Sequence, residues 1–101
     1  MKIKIVDVIG AHCTEYEQGD RVFSVIKERL NWGYLVDVDM EGVQLATSSF
    51  FNAALGPLYG AYPVDVLRDK VQFSHLTKEM RHVISRSLAA IKGFYEEKKS
   101  A

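Results

Sequence analysis

The heptapeptide YLVDVDM, Tyr34 to Met40, constrains the fold most, because apolar residues occupy every second position and Asp37 and Asp39 stand between them. Apolar residues at every second position indicate a strand with one buried face. The segments on either side repeat their apolar residues at steps of three and four, which is the spacing of an amphipathic helix. A strand between two such helices predicts a sheet with helices packed against it, which is an α/β fold.

Two further segments, Lys2–Ile9 and Val71–His75, are predicted to be strands because both are short and rich in β-branched or aromatic residues. The connections between successive strands are long enough to hold helices. A chain of 101 residues has the size of one domain. We therefore expect a single α/β domain over residues 1–101, with a frayed tail over residues 95–101.

Apolar residues at helical spacing predict three main helices. We expect Asp20 to cap the first helix. The second begins near Ser48 or Ser49 and is expected to kink, or to give way to an irregular turn, at Pro57. The third is the longest, with Thr77 as its cap. Its apolar face comprises Met80, Val83, Ile84, Leu88, Ile91 and Phe94.

Charge and hydropathy exclude several classes of partner. Thirteen Lys and Arg balance thirteen Asp and Glu, so we expect no nucleic-acid partner. No apolar run approaches the roughly 20 residues that cross a bilayer, and Asp7 interrupts what would be the apolar part of a signal peptide. We expect no membrane partner and a cytoplasmic protein. The single cysteine, Cys13, cannot form an internal disulfide, which agrees with a reducing compartment.

The sequence shows no motif typical of catalysis, nucleotide binding or metal binding. It contains no G-x-S-x-G elbow, no G-x-G-x-x-G and no Walker loop. His12 and Cys13 are adjacent, without the paired spacing of a structural zinc site. Asp37 and Asp39 share a strand face, and we interpret them as solvated or edge residues rather than an acid and base pair. We predict no metal, no cofactor and no enzyme activity.

Three consecutive hydroxyl residues, Thr47, Ser48 and Ser49, stand where the second helix is predicted to begin. One of them is expected to cap the helix by accepting a hydrogen bond from a free backbone N–H. A switch role is compatible with this, because free amides and the positive end of the helix dipole stabilise an added phosphate. The chemistry permits a phosphorylation switch without requiring one.

The aromatic pair Phe50 and Phe51 follows the hydroxyl residues directly. Helical spacing places Phe51 in the core. Two interpretations of Phe50 stay open. It is either an exposed anchor for a protein contact beside Ser48, or it is buried by neighbouring helices.

Four blocks of the chain, in order, resemble the STAS-like domain family of unknown function, which is found in bacteria and phages. They are EQGDRVFSVI, VDVDMEGV, SSFFNAALGPLYG and VQFSHL with the long helix that follows it. The resemblance covers nearly the whole length, and SSFFNAALGPLYG is its most specific part. It implies a small mixed sheet with helices packed against it.

More distantly, the segment Val36–Asn52 is similar to the STAS domains of anti-sigma-factor antagonists. In those proteins a serine in the turn before the helix is phosphorylated by a histidine-kinase-like ATPase. Ser48 matches that serine in position, which makes it the phosphorylation candidate. The chain departs from the antagonists at Thr47, where they place aspartate, and at Phe50, where they place glycine.

Together these observations predict a non-catalytic interaction and regulatory module whose implied partner is a histidine-kinase-like ATPase. Its predicted partner-binding residues are Thr47, Ser48, Ser49, Phe50 and Asn52. One alternative is a constitutive structural or assembly role in a bacterial or phage complex, including binding to a second copy of the chain, without phosphorylation. Another is an unrecognised enzyme, which a His and an acid within hydrogen-bond reach of Ser48 would suggest.

Overall fold

The structure is a computed structural model that describes the backbone of residues 1–100 and the side chains of residues 1–95. The strands in this part of the chain are β1 (Lys2–Lys4), β2 (His12–Cys13), β3 (Val36–Asp39), β4 (Leu45–Ala46) and β5 (Val71–Ser74). The helices are α1 (Ile5–Val8), α2 (Tyr16–Asn31), α3 (Ser48–Ala61), α4 (Val64–Lys70) and α5 (Lys78–Ser100). The predicted frayed tail lies mostly outside the described side chains and stays a prediction.

Strands β1, β3 and β5 form a parallel sheet with β3 at its centre, and β2 pairs with β4 in a separate parallel ladder. The predicted α/β class is confirmed. Every ladder between the described strands is parallel, however, rather than part of the mixed sheet that the resemblance implied. The reason is that helices connect the paired strands, and such a crossover carries the chain back to the end of the sheet at which the first strand began, so the next strand runs in the same direction.

The three-stranded sheet has one apolar and one polar face. Ile3, Val38 and Phe73 lie side by side in register and belong to or pack against the hydrophobic core. Buried residues of α2, α3 and α5 complete that core, which is one cluster. The opposite face of the sheet carries Lys2, Lys4, Asp37, Asp39, Gln72 and Ser74.

Helices α2 and α3 approach each other closely at Gly19. A Cβ atom at this position would lie 2.3 Å from the carbonyl oxygen of Phe50 and 2.6 Å from the Cβ of Ala53. Both distances are shorter than any non-bonded contact a carbon atom can make, so only glycine fits. Gly19 therefore sets the spacing between the two helices.

The predicted end of the first strand and the predicted start of the first long helix are wrong, and each difference has a structural reason. The strand expected to reach Ile9 ends at Lys4, because its ladder partner β3 ends at Asp39, directly opposite Lys4. Helix α2 begins before Asp20, because Glu15 and Gln18 form a reciprocal capping box that satisfies the first free amides.

Helix α3 runs through Pro57 and ends at Ala61, so the irregular turn expected at this proline is not formed. Leu55 and Leu58, on either side of it, are both buried. Their packing offsets the cost of about 3 kcal/mol that a proline adds inside a helix. In α5, the predicted cap is confirmed, since the Met80 amide donates to the Thr77 hydroxyl at 3.1 Å.

One prediction about exposure is wrong. Helical spacing places Phe94 on the apolar face of α5, but this residue is 52% exposed, because its ring contacts Tyr95 edge-to-face, at 5.1 Å between centroids, and does not enter the buried core. Cys13 is fully buried, and this burial raises the pKa of its thiol from 9.0 to about 11. No helix in the described part of the chain combines the length and apolar character needed to cross a bilayer.

Candidate interaction site at the start of helix α3

Thr47 is the residue that caps helix α3. Its Oγ1 accepts a hydrogen bond from the Phe50 amide at 3.5 Å and donates one to the Thr14 carbonyl at 3.1 Å. Its own amide donates to the Cys13 carbonyl at 3.0 Å. The Thr47 hydroxyl therefore acts both as donor and as acceptor, and it holds the start of α3 against the segment that contains Thr14.

Ser48 and Ser49 are the first two residues of α3, as the sequence predicted, and both are exposed. Neither side chain has a hydrogen bond with another described residue. The Phe50 and Phe51 amides bond to Thr47, so the free donors of this helix end are the amides of the two serines. Ser48 thus presents a hydroxyl and a free amide to solvent without a part in the cap.

The structure settles the two interpretations of Phe50. Phe50 is 1% exposed and Phe51 is fully buried, with their rings in edge-to-face contact at 5.3 Å between centroids. Phe50 is therefore not the exposed partner-binding residue that was predicted, because its side chain belongs to the hydrophobic core. The helix start therefore carries no exposed phenylalanine beside Ser48.

A cavity of about 340 Å³ lies between the first turns of α3 and the middle of α5. It joins Ser48 and Asn52, both predicted site residues, to a set of α5 residues. The complete lining is Ser48, Asn52, His82, Val83, Arg86, Ser87 and Ala90. We call this cavity the polar pocket.

Sequence reasoning missed the α5 contribution to the polar pocket. His82 and Arg86 are four residues apart, so they lie on one side of a helix. This spacing is the feature of the sequence that could have grouped them in one site. That this side of α5 faces the start of α3 depends on tertiary packing, which one sequence does not show. Asn52 is exposed, as expected, while Ser49 does not line the pocket.

The side chains that line the polar pocket offer hydrogen-bond donors, but none of these described side chains is a carboxylate. Ser87 is only 3% exposed, and its hydroxyl finds no hydrogen-bond partner among the described residues. Arg86 and His82 are exposed, and no described carboxylate forms an ion pair with either. No Asp or Glu among the residues with described side chains lines this cavity. The triad-like arrangement that would suggest a hydrolase at Ser48 is therefore absent from this pocket.

A second, more apolar cavity of about 310 Å³ adjoins the first and shares Asn52 and Ala90 with it. Its other lining residues are Tyr16, Gly56, Pro57, Ile91, Phe94 and Tyr95. Tyr16 and Phe94 are more than half exposed, at 56% and 52%. The two cavities form one continuous surface, which we call the α3–α5 face.

A separate cluster of charged groups lies where β3 and β5 end. Asp39 is 1% exposed, which corrects its interpretation as a solvated residue. Its Oδ1 accepts a hydrogen bond from the Glu41 amide at 2.9 Å and lies 2.8 Å from His75 Nδ1, while Lys2 Nζ is 3.7 Å from Oδ2. The Glu41 amide, followed by His75 and Lys2, lowers the pKa of Asp39 despite its burial.

The backbone at His75 supports this cluster. Its φ of 56° lies in the left-handed region, an uncommon conformation for a residue other than glycine. Asp39, Glu41 and His75 offer ligand atoms within 4.8 Å of one another, a donor set that could hold a metal ion. Because Asp39 Oδ1 is already hydrogen-bonded and Lys2 lies beside Oδ2, we interpret the cluster as a hydrogen-bonded connection between strand ends.

Helices join the parallel strands, and the central strand β3 is followed by a turn, the short strand β4 and a helix that starts at serine, which is the order of elements expected of a STAS-like α/β domain. Residues 18–81 match the STAS-like domain of unknown function (DUF4325). This match spans more than half of the chain, so the chain belongs to that family, which confirms the resemblance. No curated protein and no solved structure gives a significant match.

Proposed function

We propose that this chain is a non-catalytic regulatory module that binds a protein partner through the α3–α5 face, and that phosphorylation of Ser48 switches the binding. One observation carries the proposal. Ser48 is exposed at the first position of α3, while its neighbour Thr47 supplies the cap. A kinase can therefore reach the Ser48 hydroxyl, and modify it, without opening the helix.

The composition of the α3–α5 face supports a protein contact. Aromatic residues and arginine dominate the energetics of protein interfaces, and this face exposes Tyr16, Phe94 and Arg86 around the helix start. These residues take the anchoring role that the buried Phe50 cannot have. Asn52, shared by both cavities, lies between the aromatic and the charged parts.

The proposed partner is a histidine-kinase-like ATPase, the class that the similarity to anti-sigma-factor antagonists implies. A phosphate adds about −1.5 to −2 charges. A partner surface that fits the neutral serine and the free amides at this helix start would lose that fit once the phosphate is present. Phosphorylation by the same partner would then release the module.

The test combines phosphorylation with binding. The protein is incubated with ATP and each ATPase encoded beside it, and the site is mapped by mass spectrometry. Pull-downs then compare Ser48→Ala and Ser48→Asp with Ser49→Ala, the matched control from the same helix turn. We expect Ser48→Asp to lose binding, and Ser48→Ala to bind but not to accept phosphate.

A different outcome would support the alternative function. If a partner binds all three variants equally and Ser48 stays unmodified, the switch is wrong, and a constitutive assembly role is favoured. Binding to a second copy of the chain would appear in the same pull-downs with differently tagged copies.

A further inference from the structure

The polar pocket between α3 and α5 is chemically suited to one kind of group, and we propose that it binds a phosphate group. The proposal deepens the proposed function, on which it rests where the phosphate is that of Ser48. Three independent features of the pocket support it: the free amides at the helix end, the guanidinium of Arg86, which pairs with no described carboxylate, and the buried hydroxyl of Ser87, which has no hydrogen-bond partner among the described residues.

The buried hydroxyl of Ser87 is the feature that most needs a ligand. A buried polar group without a hydrogen bond costs about 1 to 3 kcal/mol, and native proteins contain few of them. Ser87 lines the polar pocket, and its Oγ has no partner among the described residues. An acceptor oxygen placed in the cavity would satisfy this hydroxyl.

The other groups around the pocket identify the acceptor as an anion. Arg86 and His82 lie on α5, and no described carboxylate pairs with them. The free amides at the start of α3 add donors and the positive end of the helix dipole. Arginine matches phosphate oxygens in a two-bond geometry, and Ser48 and Asn52 supply further donors.

The volume of the cavity is sufficient. About 340 Å³ corresponds to roughly ten water molecules, so a phosphate group fits together with some of its hydration. The same chemistry has two sources. The group is either the phosphate carried by Ser48 itself, which lines the pocket, or a phosphate on a free ligand.

The first experimental arm tests free phosphate. Inorganic phosphate is titrated into the unmodified protein, and NMR follows the amide signals of Ser48, Ser49 and Ser87. We expect saturable shifts, and we expect Arg86→Gln to weaken binding about tenfold through loss of a charge-assisted hydrogen bond. Arg81→Gln is the matched control, because Arg81 is exposed on the same helix but does not line the pocket.

The second arm tests the phosphate of Ser48. Phosphoserine is installed at position 48 by genetic encoding, with phosphoserine at position 49 as the control for the shared helix-end effect. Denaturant unfolding then measures how much Arg86→Gln changes the unfolding constant in each background. We expect about a tenfold larger effect with phosphoserine at position 48 than in the unmodified protein, and less than a twofold difference at position 49.

The outcomes separate the sources and the hypotheses. A positive second arm assigns the pocket to the phosphate of Ser48, and a positive first arm alone assigns it to a free phosphate-bearing ligand. The proposal is overturned if neither arm depends on Arg86, or if Arg81→Gln weakens binding as much as Arg86→Gln. Because phosphoserine is installed without a kinase, failure to find a phosphorylating partner would contradict only the proposed function and would leave the proposed phosphate site unaffected.

Discussion

Thr47 and Ser48 are adjacent hydroxyl residues with separate roles. The three-residue run indicated a helix start and a possible modification site, but it could not assign the cap to one residue. The distinction depends on Thr14, whose carbonyl accepts a bond from Thr47 across a long sequence separation. Asp39 shows the same limit, since its contact with His75 joins two residues that are far apart in the sequence.

Removal of the cap should lower stability without altering the exposed serines. We expect Thr47→Ala to decrease the free energy of unfolding by about 1 to 2 kcal/mol. Thr47→Ser should retain most of that energy, and Ser49→Ala should change it by less than about 0.5 kcal/mol. Urea denaturation measures all three. Equal losses for Thr47→Ala and Ser49→Ala would contradict the assignment of the cap.

The hydrogen bonds of Asp39 should produce a pH dependence in acid. Its pKa in the folded protein lies below the ordinary value of 3.8, so the unfolded chain binds a proton first as the pH falls. The stability that this carboxylate contributes is therefore complete above pH 3.8 and is lost below it. Unfolding measured from pH 6 to pH 3 should show a steeper decrease for the wild-type protein than for Asp39→Asn. Parallel curves would exclude this contribution.

At the scale of elements, periodicity predicted the existence of the main helices and strands but not all of their limits. Helices α2, α3 and α5 and strands β3 and β5 occur where apolar spacing placed them. The pairing of β2 with β4 was not predicted, because each strand has only two residues and no recognisable pattern. The course of α3 through Pro57 also depends on its burial, which local propensity does not contain.

The contact between α2 and α3 should be intolerant of any side chain at Gly19. A Cβ there meets the backbone oxygen of Phe50, which cannot move without displacing α3. We expect Gly19→Ala to cost about 2 kcal/mol or more by overpacking. Gly93→Ala is the control, since a methyl group at that position would have nothing within 4 Å, and it should stabilise α5 by up to about 1 kcal/mol. If both variants were stabilised in thermal unfolding, the close approach would be refuted.

At the scale of the whole molecule, one hydrophobic core connects β1 near the start of the chain with α5 near its end. The polar pocket arises only at this level. Ser48 and Arg86 are far apart in sequence, and the packing of α3 on α5 brings them to one cavity. For this reason the sequence predicted the α3 residues of the site but not the α5 residues.

A single core should unfold in one step. We expect the helical circular-dichroism signal and the fluorescence of Trp32, at the end of α2, to give the same denaturation midpoint. Gly19→Ala should shift both midpoints together. Two separate transitions would show that the chain contains more than one cooperative unit, and the prediction of one domain over residues 1–101 would then be wrong.

The α3–α5 face should be separable from the fold. Tyr16→Ala and Phe94→Ala remove exposed rings, so we expect changes in unfolding free energy below about 1 kcal/mol. Each should weaken partner binding about tenfold or more, as expected of an interface anchor. Val64→Ala is the control, because Val64 is exposed on α4, away from this face. Calorimetry with the purified partner measures the loss, and unchanged affinity would remove the aromatic residues from the docking surface.

The starts of α2 and α3 are held together at two points, by the Thr47 bond to Thr14 and by the backbone contact at Gly19. Tyr16 and Ser48 therefore belong to one rigid unit, although they come from different helices. A partner that contacts both residues binds a surface that is already assembled, so little conformational entropy is lost on association. Weakening either of these two contacts should slow the association of such a partner, even when every side chain that contacts it is intact.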